Sequence, residues 1–531
     1  MILDSVGQLK DHPHERERVV VVGAGAIGLY AAAMLIEKGV QVVLVEAGGD
    51  HLGGFDPKTY ESVGIASNGL KLGRSRSMGG TTNLWGGQLV EFMPVDFEGR
   101  DWLEHSRWPV TYADVARHFP ETYERLGITP DQQSDEKVWS SVGAEQPPMG
   151  DEVEAFLTRW LRTPNFKVLY KQLIEEDPRL LVLRAHTLVG FEGGRTIEAL
   201  RCVTDRDETV RVNGDTFIMA HGTIEIARVM LHAAQDEAWN APWKGNDLVG
   251  AAFMDHLGGP IGTIKPADTK SFFKTYCTIA KKGDKYQPKV RLNNDLLARE
   301  PLYNIQGLFA FESSASEHLV YLKQFLKAAM RGKPVKNPGD VIKNSLAGVK
   351  YLFPLMWRYA VDHRVFVPST SKIILQMQGE HAPTRDSRVR IDPSVRDAQG
   401  LPKVLLDWQL GGDEQASIID FAKRVDASMQ NAGLGRLEIE PALLANDPAF
   451  MRTLKDTYHQ SGGAIMGEHD GDGVVDRDQK VFGTDNLYVA GSAVFRTVGN
   501  ANTTFTALAM PTRLVHALPG VRTQEHAEAT V

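Results

Sequence analysis

The chain has 531 residues, of which 42% are hydrophobic and 24% charged, with a net charge of −8. That length exceeds one ordinary core and predicts two domains, interleaved in the chain. The acidic balance excludes a general nucleic-acid binder. Two cysteines, Cys202 and Cys277, form no CxxC pair, so neither a thiol redox motif nor a cysteine-based zinc site is expected, and no metal site is predicted. The first 18 residues are polar and carry no secretory pattern. No apolar run reaches the ~18 residues of a spanning helix, so a cytoplasmic location is expected.

Residues 19–22 form a β-branched run that predicts a strand. Gly23, Gly25 and Gly28 follow it in GxGxxG spacing, residues 29–38 read as a helix, and residues 41–45 read as a second strand closing on Glu46. In this arrangement Gly23 permits the tight turn, Gly25 admits a pyrophosphate to the backbone, and Gly28 lets helix and strand pack. The helix N-terminus then faces the phosphates. Glu46, 18 positions after Gly28, can accept hydrogen bonds from a ribose 2′-OH and would repel a 2′-phosphate. The motif alone does not separate NAD from FAD. No second GxGxxG occurs, which disfavours separate FAD and NAD(P)H sites.

Residues 74–87 read Arg-Ser-Arg-Ser-Met-Gly-Gly-Thr-Thr-Asn-Leu-Trp-Gly-Gly. Two glycine pairs around small and amide residues predict backbone lying against a ligand. Residues 180–183, 187–191, 198–204 and 209–212 predict an antiparallel set of strands. Residues 215–219 predict another strand, ending in Ala220-His221-Gly222-Thr223 before a helix over 224–231. A strand running into glycine and a helix suits the carboxyl edge of a parallel sheet.

The segment 313–365 differs from the rest. Residues 318–330 and 341–361 have apolar side chains at helical spacing, and Pro354 is expected to kink the second helix. Nine Lys/Arg against two Asp lie between 320 and 364. Two helices with a solvated basic face are expected, with a peripheral membrane or subunit contact as the sharper alternative. Strands are then predicted at 371–378, 388–392 and 403–410, followed by a helix over 414–430 with Asp413 as its N-cap. This block predicts a second domain of sheet and covering helix.

Near the C-terminus, Tyr458-His459-Gln-Ser-Gly-Gly-Ala is followed by a strand over 486–490 that breaks at Gly491-Ser492. Gly499-Asn-Ala-Asn502-Thr503-Thr504 then opens a helix from Phe505 to about Leu518. Its N-terminus offers a second anion site.

Taken in order, these motifs resemble the glucose-methanol-choline (GMC) oxidoreductase family. The resemblance runs from about Val19 to Leu518. It is carried by the glycine fingerprint, Gly79-Gly80-Thr-Thr, Ala220-His-Gly-Thr-Ile-Glu before Arg228, Asp255-His256, and the His459 and Asn502 segments. It implies an α/β fold: a Rossmann-like FAD-binding domain with an interleaved substrate domain built on an antiparallel sheet with helices. The expected division is 1–100, 180–260 and 455–531 for FAD, and 101–179 and 261–454 for substrate. Expected FAD contacts are Gly23, Gly25, Gly28, Glu46, Gly79, Gly80, Thr82, Asn83, Trp85, Gly86, Gly222, Gly491, Ser492, Thr503 and Thr504. The His/Asn pair and Leu84-Trp85 look like the pyranose-oxidase branch rather than the glucose-oxidase branch with its two histidines. Leu84 stands where that branch often tethers the flavin through a histidine, so noncovalent FAD is expected. Ala490 replaces a frequent Asp, Thr503 a frequent Pro, and Pro511 lies inside the last helix, where it is expected to kink or shorten it.

The implied chemistry is oxidation of an alcohol to a carbonyl, with hydride transfer to flavin N5. His459 is the expected base and Asn502 the group that fixes the hydroxyl. A secondary hydroxyl of a sugar, glycoside or polyol is the expected substrate. A hydrophobic alcohol or sterol, and a non-redox lyase of the hydroxynitrile type, are the alternatives. The electron acceptor is open between oxygen, a quinone and a protein carrier.

Overall fold

Val19, Val20, Val21 and Val22 are buried in a six-stranded parallel sheet. The structure is a computed structural model that describes residues 2–3, 18–313 and 352–519, with isolated positions between 321 and 344. The strand order is Ile2–Leu3, Leu180–Arg184, Gln41–Glu46, Arg18–Val22, Thr216–Met219, Leu487–Val489. The helix Ala26–Glu37 is apolar on nearly every face, and residues 28–36 are all buried. Such a helix must be covered on both sides. The sheet lies on one side, and the C-terminal helix Thr504–Ala517 on the other, where the Tyr30 and Thr512 hydroxyls lie 2.9 Å apart.

The second layer is a nine-stranded, antiparallel sheet. Its main path runs Gly435–Ile439, Leu257–Pro266, Lys372–Gly379, Ile305–Glu312, Asp284–Leu292, Val153–Trp160, Gln88–Leu89. Ile279–Lys281 pairs with Asp284–Leu292, and Lys455–Asp456 with Leu257–Pro266. The helix Glu414–Asn431 buries Ile418, Phe421, Val425 and Met429 in the core of this layer. Two large buried clusters result, one around each sheet.

Several expectations are corrected. Residues 180–184 do not join the antiparallel set; they pair in parallel with Gln41–Glu46. A short apolar run reads alike in either setting, and only its partner decides. The remaining three, His186–Gly193, Ile197–Thr204 and Thr209–Asn213, do form an antiparallel sheet. The 371–410 block is split: Lys372–Gly379 lies in the nine-stranded sheet, while Arg388–Arg396 and Pro402–Asp407 pair with each other and with Tyr60–Ser62. The last strand ends at Asp407, short of the expected Leu410. Asp413 makes no side-chain cap; it accepts from the Tyr303 hydroxyl, and Glu414 receives the N–H groups of Gly411 and Gly412. The last helix runs Thr504–Ala517, close to the expected end, with Pro511 buried inside it.

Of the segment 313–365, the helix Leu352–Ala360 is described; apart from isolated helical positions at 321, 341, 343 and 344, the expected helix 318–330 and the upstream half of 341–361 lie outside the described residues. Among the described residues no helix is long and apolar enough to cross a membrane. Cys202 and Cys277 are buried and unpaired, so no disulfide joins them.

Candidate active site

A cavity of about 730 Å³ runs from the glycine turn to His459 and Asn502. Its first wall is made where parallel strands end: Gly23 after one strand, Glu46 at the end of the next, and Ala220 to Gly222 after a third. Ligands of parallel sheets collect at this edge because helix N-termini and free N–H groups converge there. Gly23 has φ +99°, and a Cβ there would lie 2.6 Å from the His221 Cα. Gly25 lines the cavity, and a Cβ on it would meet no protein atom within 4 Å. Gly28 is outside the cavity; its Cβ would lie 1.8 Å from the Gly23 carbonyl oxygen, so only glycine lets the helix begin against the turn.

Glu46 lines the cavity, and its carboxylate accepts the Ala24 N–H at 2.8 Å and the Gly48 N–H at 2.7 Å. Burial raises its pKa, opposed by those two bonds. The loop from Arg74 is pinned to the glycine turn. Gly79 N–H donates to Ala24 at 2.8 Å, and a Cβ on Gly80 would lie 2.9 Å from the Gly25 Cα. Asn83 turns away from the cavity and fastens the loop through the Met78 and Gly80 carbonyls. Gly80, Thr82, Leu84, Trp85 and Gly86 line the cavity; Gly79 and Asn83 support them from behind. Trp85 is held by its Nε1 donating to the Pro164 carbonyl at 2.7 Å. Gly222, Ser492, Thr503 and Thr504 also line it, whereas Gly491 does not.

At the far end, His459 Nε2 lies 3.0 Å from Asn502 Nδ2. His459 Nδ1 lies 3.0 Å from His256 Nδ1 and 2.8 Å from Thr457 Oγ1. Burial, with His256 and Lys289 nearby, holds the His459 imidazole well below its ordinary pKa. The ring is therefore neutral at pH 7. The Asn502 Oδ1 is buried with no hydrogen-bond partner among the described residues. Lys289 is buried, and burial alone pushes its ammonium down to about 7. Its amine reaches the cavity wall through Gln88, whose amide also donates to Thr158 and Gln287, each at 2.7 Å.

The sequence reading missed several of these residues. His221, Arg74 and Glu225 line the cavity. Burial would raise the Glu225 carboxyl, but the guanidiniums of Arg74 and Arg228 pull it down to about 2. The string Ala220-His221-Gly222 and the pair Asp255-His256 were visible, but a histidine in a motif does not announce its partners. Gln88 and Lys289 gave no signal, because alternation in a strand marks a face and not what the face meets. Away from the cavity His118, Glu121 and His516 gather at the surface. Arg117 donates to His118 and Arg125 to Glu121, so two of the three are already engaged by cations.

The residues present fit FAD. Both ring nitrogens of His221 are buried without a partner among the described residues, beside a glycine turn with open space at Gly25. Buried polar atoms of this kind are costly unless a ligand completes them. Gly23, Gly25 and Glu46 suit the phosphates and ribose of a dinucleotide, and the N-terminus of Thr504–Ala517 suits an electron-rich ring edge.

Comparison with known proteins agrees with this. Residues 383–510 match the family model described as GMC oxidoreductase, and residues 1–64 match one described as pyridine nucleotide-disulphide oxidoreductase. The fructose dehydrogenase large subunit of Gluconobacter japonicus is 20% identical, covering 94% of this chain and 97% of that protein. The 6'''-hydroxyparomomycin C oxidase of Streptomyces lividus is 30% identical over 125 residues, 21% of this chain and 23% of that one. Among solved structures, pyridoxine 4-oxidase from Mesorbium loti has a TM-score of 0.57 at 14% identity, covering 95% of this chain and 100% of that one. A formate oxidase has a TM-score of 0.55 at 14% identity, covering 97% and 100%. These two show a shared fold.

Proposed function

Since the chain is a GMC oxidoreductase with FAD as its cofactor, we propose that it oxidises a secondary hydroxyl of a sugar, glycoside or polyol. The observation that carries this reading is one continuous cavity with a dinucleotide turn at one end and a neutral His459–Asn502 pair at the other. When bound there, FAD supplies the hydride acceptor, N5 of its ring. His459 Nε2 takes the hydroxyl proton, a task suited to a neutral imidazole. Asn502 Oδ1 fixes the hydroxyl without competing for its proton, which orients the C–H bond. Gln88, whose amide hydrogens go to Thr158 and Gln287, keeps an Oε1 lone pair beside Lys289 that can accept from a further hydroxyl. The related fructose dehydrogenase and aminoglycoside oxidase support a polyhydroxylated substrate.

In this reading residues 1–100, 180–260 and 455–531 bind FAD, and 101–179 and 261–454 bind substrate. The strand Gln88–Leu89 crosses that division, because it pairs with Val153–Trp160 in the antiparallel sheet. Leu84, which has no nucleophilic atom, lines the cavity where a tethering histidine would stand, and this supports noncovalent FAD. Acid precipitation should release all the flavin; yellow colour left in the pellet would refute it.

Anaerobic addition of substrate tests the reaction. A sugar or polyol should bleach the flavin, while a long-chain alcohol and a cyanohydrin should not. His459→Ala should slow bleaching by about 10²–10⁴ with FAD still bound, and Asn502→Ala should slow it less. Bleaching of His459→Ala at the native rate would rule out His459 as the base. Recolouring in air marks oxygen as acceptor, and recolouring only with a quinone marks a dehydrogenase.

A further inference from the structure

We infer that His256 is a positioning residue that fixes the tautomer of His459 and leaves its Nε2 unprotonated. The inference rests on the reading of His459 as the base. Its own support is a chain of contacts anchored at one end by two carbonyl oxygens, which can only accept.

His256 is fully buried, and its Nε2 lies 3.1 Å from the Val498 carbonyl oxygen and 2.9 Å from that of Gly499. Carbonyl oxygens only accept, so Nε2 carries the proton. Burial pushes the His256 imidazolium down to about 4, so the ring is neutral and its Nδ1 is bare. A bare nitrogen can only accept. The His459 Nδ1 at 3.0 Å must therefore be the donor. A neutral imidazole has one N–H, which leaves His459 Nε2 unprotonated. The fourth contact is consistent with this: Asn502 Nδ2, an amide donor, faces His459 Nε2 at 3.0 Å.

The backbone reinforces the arrangement. Asp255 Oδ1 accepts the N–H groups of His256 at 2.8 Å, His459 at 2.9 Å and Thr457 at 3.3 Å. One oxygen thus sets the separation of both histidines, whose rings meet nearly edge-on at 83°. The carbonyls that orient His256 belong to the segment that carries Asn502. The contacts therefore close a ring through 255–256, 457–459 and 498–502. The charged and titratable groups facing this ring are Lys289, His381, Asp255 and Asp456.

Without His256 a competing state is available. The Thr457 hydroxyl, 2.8 Å from His459 Nδ1, can donate to it. Nε2 would then carry the proton, and a flipped Asn502 amide would accept it. In that state the lone pair needed for the substrate proton is gone.

The test is ¹⁵N NMR of the histidine rings in the FAD-loaded enzyme, with His459 assigned by its loss in His459→Ala. The native enzyme should show a pyrrole-type Nδ1 and a pyridine-type Nε2 at His459. In His256→Leu the pattern should shift toward Nε2–H. Flavin reduction by the bleaching sugar should fall about 10- to 100-fold, as outer partners of a reacting group typically contribute. Raising the pH should not restore it, because tautomers differ by no net proton. His256→Asn, which retains an acceptor, should recover part of both. A native Nε2–H signal, or an unchanged tautomer in His256→Leu, would overturn the inference, and the native spectrum decides even if His256→Leu fails to fold. A shifted tautomer with undiminished reduction would instead refute His459 as the base.

Discussion

At the scale of single residues, two groups in the site have pKa values displaced by their surroundings. Burial, then His256 and Lys289, holds His459 well below the ordinary imidazole value. A base works when unprotonated, so the rate falls only as pH drops through this depressed value. The acid limb of kcat/KM should therefore lie below the ordinary pKa of about 6.5. Lys289, pushed down to about 7, is charged through most of that acid range and opposes a second positive charge on His459. Lys289→Met should consequently move the acid limb to higher pH. A limb that stays in place under that substitution would remove Lys289 from the electrostatics of the base. Some of this was legible in the sequence, since His459 and Asn502 sit in a motif. Lys289 and His256 were not assigned roles, because their parts depend on neighbours 170 and 203 positions along the chain from His459.

At the scale of elements, the strand–turn–helix opening was readable because each local choice points the same way: valines, glycines at fixed spacing, then an acid at a strand end. Gly28 is where this can be tested. A Cβ there would lie 1.8 Å from the Gly23 carbonyl oxygen, a backbone atom that cannot yield like a side chain. Gly28→Ala should displace the helix start from the turn and yield protein purified without FAD, measured by the ratio of flavin to protein absorbance. Full flavin loading would show that the turn adapts. Glu46 was read as a ribose acceptor, but it also buttresses the turn by accepting the Ala24 N–H. The assignment of residues 180–184 to an antiparallel set failed for a different reason. Leu180 and Val182 are as buried as a residue of either sheet type would be, and pairing with Val42 and Leu44 is a long-range fact. The last helix reaches the expected length in spite of Pro511, running Thr504–Ala517 packed against Ala26–Glu37 and Phe119–Arg125.

At the scale of the whole molecule, buried imidazoles dominate the acid side of the stability curve. Burial is the leading cause that lowers His118, His221 and His256 to about 4, and His381 and His459 shift in the same direction. The unfolded chain takes up these protons from about pH 6.5 downward, before the folded chain does. Stability should therefore fall as pH drops from about 6.5 toward 4. Burial raises Asp96 to about 6 and Asp255 to about 8, which works in the opposite direction over the same interval. His105 and His232 shift downward and Glu46 upward for the same reason, so seven histidines against three carboxyls set the net sign. Melting temperatures of the FAD-free chain at pH 7 and pH 5 check it; a higher value at pH 5 would reverse the assignment. Interleaved domains were to be expected from chain length and motif order. The place of Gln88–Leu89 was not, because a two-residue strand has no periodicity to read.

The parallel sheet contains a strand from each end of the chain, with Thr216–Met219 held between Arg18–Val22 and Leu487–Val489. A ribosome delivers these strands in order. The edge of Thr216–Met219 stays open until Leu487–Val489 is made, with unpaired backbone groups and apolar side chains such as Phe217 and Ile218 beside it. Open edges of this kind recruit other chains. Leu487–Val489 closes the edge only after every strand of the nine-stranded sheet has been made, and the segments bearing His459 and Asn502 come just before and just after it. The glycine turn is thus complete in the growing chain well before the sheet edge beside it is covered and before His459 and Asn502 can meet.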